Sequence, residues 1–128
     1  MHHIVILDSS TANPGDLSWD FLKKYGTLEI FGRSTPAETA ERAKNADIVI
    51  INKTVLSEST LRRLPKLKFI TLLATGFNVV DTAAADKLGI TVSNVPSYST
   101  DAVAQQTFAF ILEFANRVGI HSERVHCG

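Results

Sequence analysis

Three short polar groups stand directly after short apolar runs, and their residue types suit the binding of a small anion. Asp8-Ser9-Ser10 follows the run 4–7, Asn52-Lys53-Thr54 follows 48–51, and Ala74-Thr75-Gly76-Phe77-Asn78 follows 69–73. A glycine straight after a buried strand lets backbone N–H groups turn toward a ligand. Consecutive free N–H groups then form a nest for an anion such as a carboxylate. Lys53, on the neighbouring loop, adds a positive charge to the same crevice. A small carboxylate fits better than a phosphate chain, because the chain holds no glycine-rich P-loop and no dinucleotide fingerprint. On spacing alone a plainer reading stays open, with Gly76 as a turn glycine and Lys53 as a solvated loop lysine.

Other chemistries fare worse. Asp8 after the first strand suggests a phosphoacceptor of the receiver type, but such sites need an acidic cluster to hold a divalent metal, and only Asp8 is acidic at these strand ends. His121, His126 and Cys127 resemble a metal trio, yet they lack the paired spacing of a zinc site and fall in a terminal tail expected to fray. Trp19 and Leu22, at helical spacing, read as core. No serine–histidine–carboxylate arrangement can be assembled, and no recognisable catalytic set is visible.

The elements that must position these loops follow from the apolar pattern. Ile4-Val5-Ile6-Leu7 and Ile48-Val49-Ile50-Ile51 are unbroken and largely β-branched, which predicts strands buried on both faces. Residues 28–31, 69–73 and 90–92 give three more strands. Thr35-Pro36-Ala37-Glu38 predicts a helix start: threonine caps, proline takes the first helical position, and the glutamate reaches back to the cap. Ser57 is expected to cap a short helix through Leu61 and Leu64, closed off by Pro65. Asp81 is expected to cap a helix over 83–88 that Gly89 ends. Strands apolar on both faces and alternating with helices predict an α/β fold. The expected form is a doubly wound, parallel five-stranded sheet with helices on both faces.

Composition sets the outer bounds. The 128 residues are 45% hydrophobic and 20% charged, which is one ordinary domain able to bury a core. Thirteen basic residues balance thirteen acidic ones, so there is no electrostatic footprint for nucleic acid or for an anionic membrane. No apolar run approaches the length of a membrane span, and the opening residues lack a signal-peptide layout. The single cysteine, Cys127, cannot form an internal disulfide, which fits a reducing, cytoplasmic setting.

The segment 102–118 behaves differently. Phe108, Ile111, Leu112, Ala115 and Val118 make one helical stripe, while Val103, Phe110 and Phe114 lie off it. The apolar surface of this long helix wraps most of the way round, so burial on more than one side is expected. A five-stranded sheet covers one side only. A second domain or a second subunit is expected to cover the rest.

The stretch from Leu73-Ala74-Thr75-Gly76-Phe77-Asn78-Val79-Val80-Asp81 through Gly89-Ile90-Thr91-Val92-Ser93-Asn94-Val95-Pro96, and on to Thr100-Asp101-Ala102-Val103-Ala104-Gln105, resembles the D-isomer-specific 2-hydroxyacid dehydrogenases. Asn13-Pro14-Gly15-Asp16-Leu17-Ser18-Trp19, Asn52-Lys53-Thr54 and Leu64-Pro65-Lys66-Leu67-Lys68 resemble the glycerate dehydrogenase, or hydroxypyruvate reductase, branch. The resemblance runs from residue 4 to about residue 126. It implies a substrate-binding flavodoxin-like domain over 1–100. Residues 101–128 would be a crossover and dimerisation helix at the start of an NAD-binding Rossmann domain, within a homodimer. It also implies that the amides of Thr75, Gly76 and Phe77 hold the carboxylate of a small 2-hydroxy or 2-keto acid, with Lys53 lining the pocket. Thr75 and Thr107 would lie near the nicotinamide end of the cofactor.

The same resemblance implies that the family's catalytic arginine, glutamate and histidine lie beyond Gly128, with nearly all of the cofactor domain. None of His2, His3, His121 or His126 matches the catalytic histidine's motif. The chain alone is therefore expected to be inactive, as part of an enzyme reducing hydroxypyruvate to D-glycerate with NADH. Choice of NAD over NADP depends on a residue after the second Rossmann strand. A second reading, of a different class, is a non-catalytic small-carboxylate-binding or dimerisation module, since NAD-sensing corepressors share the family's fold.

Overall fold

A computed structural model describes the whole chain, Met1–Gly128. It divides into two compact units, Met1–Pro96 and Ser97–Gly128. The first unit is built on five parallel strands: β1 (His2–Ile6), β2 (Gly26–Ile30), β3 (Ile48–Ile51), β4 (Phe69–Leu72) and β5 (Thr91–Ser93). Their order in the sheet is β2-β1-β3-β4-β5, the flavodoxin-like order. Strand β1 starts earlier than the apolar run, because His2 and His3 pair with Gly26 and Thr27 before Ile4 is reached. The close start of that pair leaves no room at Gly26: a Cβ there would stand 1.9 Å from the His2 carbonyl oxygen.

Three helices connect the strands: α1 (Pro36–Ala43), α2 (Glu58–Leu61) and α3 (Thr82–Lys87). Each opens on the expected cap, with Thr35, Ser57 and Asp81 accepting from the amides of Glu38, Thr60 and Ala84. At Thr35 the capping box closes both ways, since the Glu38 carboxylate accepts from the Thr35 amide at 2.9 Å. Helix α3 ends in a Schellman turn: Gly89 adopts φ +70°, and the amides of Gly89 and Ile90 donate back to Asp86 and Ala85.

Alternation along the strands divides the core. Val5, Leu7, Val49, Ile51, Ile70 and Leu72 face one side, where they meet Ala43 of α1, Leu61 of α2 and Ala84 and Ala85 of α3. Ile4, Ile6 and Ile50 face the other, packed by Trp19, Leu22, Leu28, Ile48 and Leu73. The expectation of helices on both faces needs correcting, because α1, α2 and α3 all feed the first cluster. The reason lies in handedness. From β1 the chain steps one way to β2 and then returns past β1 toward β5, so right-handed crossovers put the first connection alone on the opposite face. That connection holds Pro14 and Gly15, and it folds into 3-10 turns at Ser9–Thr11 and Asp20–Lys24 in place of a helix.

The second unit holds α4 (Thr100–Asn116) and α5 (Val118–Cys127). Here the structure departs from one long helix with a frayed tail. Arg117, at φ +48°, closes α4 by donating to Glu113, and helix resumes at Val118 to run through His121 and His126. Neither helix has a buried residue. The apolar wrap expected to be covered on more than one side is exposed throughout, up to 88% at Phe114. No helix is long and apolar enough to cross a membrane.

Three surface carboxylates link this fold to pH. Glu38 is held below its ordinary 4.5, chiefly by the hydrogen bond from the Thr35 amide. Asp20 and Asp47 are held below 3.8, chiefly by hydrogen bonds from Lys23 and from the His3 amide respectively. A lowered pKa in the folded state means stability that is full above the unfolded value and lost as pH falls through the folded one. The melting temperature is therefore expected to hold from neutrality down to about pH 4.5 and to drop below it. Glu38→Gln keeps the cap geometry and should flatten part of that drop; an unchanged acid profile in the variant would contradict the assignment.

Candidate carboxylate site

The loops that follow β1, β3 and β4 emerge side by side at the carboxyl end of the sheet. Two of them are bound together by Asp8, which is 4% exposed. Its Oδ1 accepts from the Asn52 amide at 2.9 Å, and its Oδ2 accepts from the amides of Lys53 and Thr54 at 2.6 and 2.7 Å. The Asn52 side chain returns the link, donating from Nδ2 to the carbonyl and the hydroxyl of Thr11. A carboxylate at the end of a buried strand must find donors. Asp8 finds three consecutive ones, and thereby sets the backbone that carries Lys53. The Lys53 side chain is exposed, with no hydrogen bond or ion pair in the chain.

After β4 the chain is held mainly by its carbonyls. The Leu73 amide still donates to Ile51 in the ladder. Beyond it, Ala74 O accepts from the Val95 amide, Thr75 O from Asn94 Nδ2 at 2.7 Å, and Phe77 O from the Val80 amide. The amides of residues 74–78 donate to nothing in the chain. Thr75, Gly76 and Phe77 are exposed, so a run of backbone donors faces solvent beside Lys53, one strand away. Gly76 contributes differently from the expectation. It does not take a positive φ, so this is no alternating-handed nest, and an added Cβ would stand 3.4 Å from Asn78 Oδ1. The donors are free because the carbonyls hold the loop.

The remaining expected residues lie elsewhere. Thr107 is on α4 in the second unit, where its hydroxyl donates to the Val103 carbonyl at 2.8 Å. His126 Nδ1 bonds the Ser122 carbonyl within α5, and no group of three His, Cys, Asp or Glu side chains comes together to hold a metal ion. Trp19 and Leu22 pack against the sheet. A cleft of about 590 Å³ runs along α3 and the outer edge of β5. Phe77 stands on its rim, but Asp86 is its only charged residue, so it does not suit a carboxylate. A smaller crevice of about 310 Å³ is lined by Lys53 and Arg33. Sequence reasoning missed Arg33, which follows a weakly marked strand.

Residues 4–120 match the family model for D-isomer specific 2-hydroxyacid dehydrogenase, catalytic domain. The chain is 40% identical over 128 residues to a hydroxypyruvate reductase of Blautia hydrogenotrophica, covering 98% of this chain and 40% of that protein. It is 33% identical to a glycerate dehydrogenase of Methylorubrum extorquens, covering 98% of this chain and 39% of that one. Among solved structures it is similar to the D-lactate dehydrogenase of Aquifex aeolicus complexed with NAD and lactic acid. The TM-score there is 0.73 at 26% identity, over 97% of this chain and 37% of that one. The chain thus spans about two-fifths of the length of the curated relatives it matches.

Proposed function

Because the chain belongs to the D-isomer-specific 2-hydroxyacid dehydrogenase family, we propose that it is the substrate-binding part of an NAD-dependent oxidoreductase that interconverts hydroxypyruvate and D-glycerate. The observation that carries this reading is the exposed run of unpaired amides at Thr75, Gly76 and Phe77, with the free ammonium of Lys53 on the next strand end. Amides at such a loop donate to the two oxygens of a carboxylate, and a nearby cation adds a charge-assisted contact. Holding the carboxylate fixes where the adjacent carbonyl carbon lies, which is the positioning that hydride transfer requires.

The residues of the first unit do not fit the dinucleotide itself. A pyrophosphate seats on a free helix N-terminus after a glycine-rich turn. Here the N-termini of α1, α2 and α3 are filled by the side chains of Thr35, Ser57 and Asp81. No step through the cofactor is therefore assigned to these residues, and the chain by itself is expected to bind a carboxylate without turning it over. The exposed apolar length of α4, from Val103 to Phe114, supports pairing with a second copy. Thr107, on the same helix, would face the nicotinamide in the whole protein.

Calorimetric titration tests the reading. Hydroxypyruvate should bind weakly, with Kd on the order of millimolar, and the neutral amide of pyruvate should not bind. Equal heats from the charged and neutral compounds would contradict a site built for a carboxylate.

A further inference from the structure

The crevice of about 310 Å³ beside Lys53 lies on the side of Lys53 away from the amide run, none of whose residues line it. Its walls come from three adjacent strand ends: Thr11 after β1, Arg33 and Ser34 after β2, and Lys53 and Thr54 after β3. Arg33 and Lys53 are both exposed, and neither side chain has a partner in the chain. This sets Arg33 apart from nearby Arg42, whose guanidinium is used up on Glu38, Ser34 and the Arg33 carbonyl. Asp8 is the one acid in the crevice, and three amides already meet its oxygens. The hydroxyl protons of Thr11 and Ser34 are also committed, to the carbonyls of Asp8 and Leu7. Two unpaired cations, with the uncommitted hydroxyl of Thr54, are therefore what the crevice offers a ligand. A guanidinium fork beside an ammonium recognises an oxyanion.

Strand order gives the direction. Lys53 stands one strand from Thr75, and Arg33 stands three strands away, roughly 14 Å along the sheet at ordinary strand spacing. Both side chains line the crevice, which covers the β2, β1 and β3 part of that interval. We propose that this crevice is an oxyanion subsite, filled by the phosphate or second carboxylate of a small acid that is anionic at both ends. Its near end rests on the carboxylate reading of residues 75–77, whereas the subsite itself stands on Arg33 and Lys53.

Proton–nitrogen spectra of the 128-residue chain, with inorganic phosphate, pyruvate, phosphoglycolate and malonate as probes, test it. Inorganic phosphate should move the Arg33 Nε–H and Ser34 amide signals, and Arg33→Gln should abolish that response. Pyruvate should move residues 75–77 equally in both proteins. One of the two-ended acids should bind about tenfold more tightly than pyruvate, the worth of one charge-assisted contact, and lose that gain in Arg33→Gln. Tighter phosphoglycolate identifies a phosphate as the distal group, and tighter malonate a carboxylate. Arg33 makes no side-chain contact that folding needs, so the rest of the variant's spectrum should superimpose. Phosphate leaving the Arg33 signals unmoved, or Arg33→Gln binding both acids as tightly as the parent, would overturn the subsite. A phosphate response that persists while pyruvate fails to move residues 75–77 would overturn the carboxylate reading and uphold the subsite.

Discussion

Asp8→Ala is expected to destabilise the protein by about 3 kcal/mol, seen as a lower urea midpoint at unchanged slope. The carboxylate accepts three backbone N–H groups in a place that water barely reaches. Removing it leaves donors at Asn52, Lys53 and Thr54 without acceptors, and the desolvation penalty of each is what the variant feels. Asp8→Asn should lose about 2 kcal/mol, because an amide keeps one acceptor oxygen but turns an NH₂ toward a donor. Both variants should also weaken carboxylate binding, since they loosen the loop that carries Lys53. An Asp8→Ala midpoint within error of the parent would show that the three amides find other partners.

The second large effect concerns α4. The chain is expected to self-associate, with light scattering at high concentration reporting at least twice the chain mass. Phe108, Phe110, Ile111, Leu112 and Phe114 are all more than half exposed on a single helix, a contiguous apolar surface that soluble monomers rarely show. Phe108→Lys combined with Leu112→Glu should return the chain to a monomer while leaving its helical circular dichroism intact, because neither side chain has a buried partner to lose. A clean monomer of the parent at high concentration would contradict the expectation.

The strands were legible because a sheet covered on both faces needs unbroken apolar runs, and Ile48-Val49-Ile50-Ile51 has no other ready explanation. The caps at Thr35, Ser57 and Asp81 were legible because each mechanism is local, spanning three residues. What escaped was set by distance along the chain. Nothing within a few residues of Asp8 tells that its donors lie 44 to 46 residues away. Nor does anything near Gly26 reveal the His2 carbonyl against its α-carbon. Residues 74–78 form the loop expected after β4, but Gly76 adopts no positive φ there. The amides are free because Asn94 and Val95 take the carbonyls, a tertiary arrangement that spacing alone does not report. Arg117 closes α4 in a left-handed conformation that an arginine seldom takes, so the break there carried no signal.

The most direct test of the account is a proton–nitrogen spectrum of the chain recorded through a titration with hydroxypyruvate. The amides of Thr75, Gly76 and Phe77 should move together along one binding curve, with the Lys53 side chain following, because these donors have no partner in the chain. If those amides stay in place while hydroxypyruvate is bound, the carboxylate lies elsewhere and the site assigned to this loop is wrong.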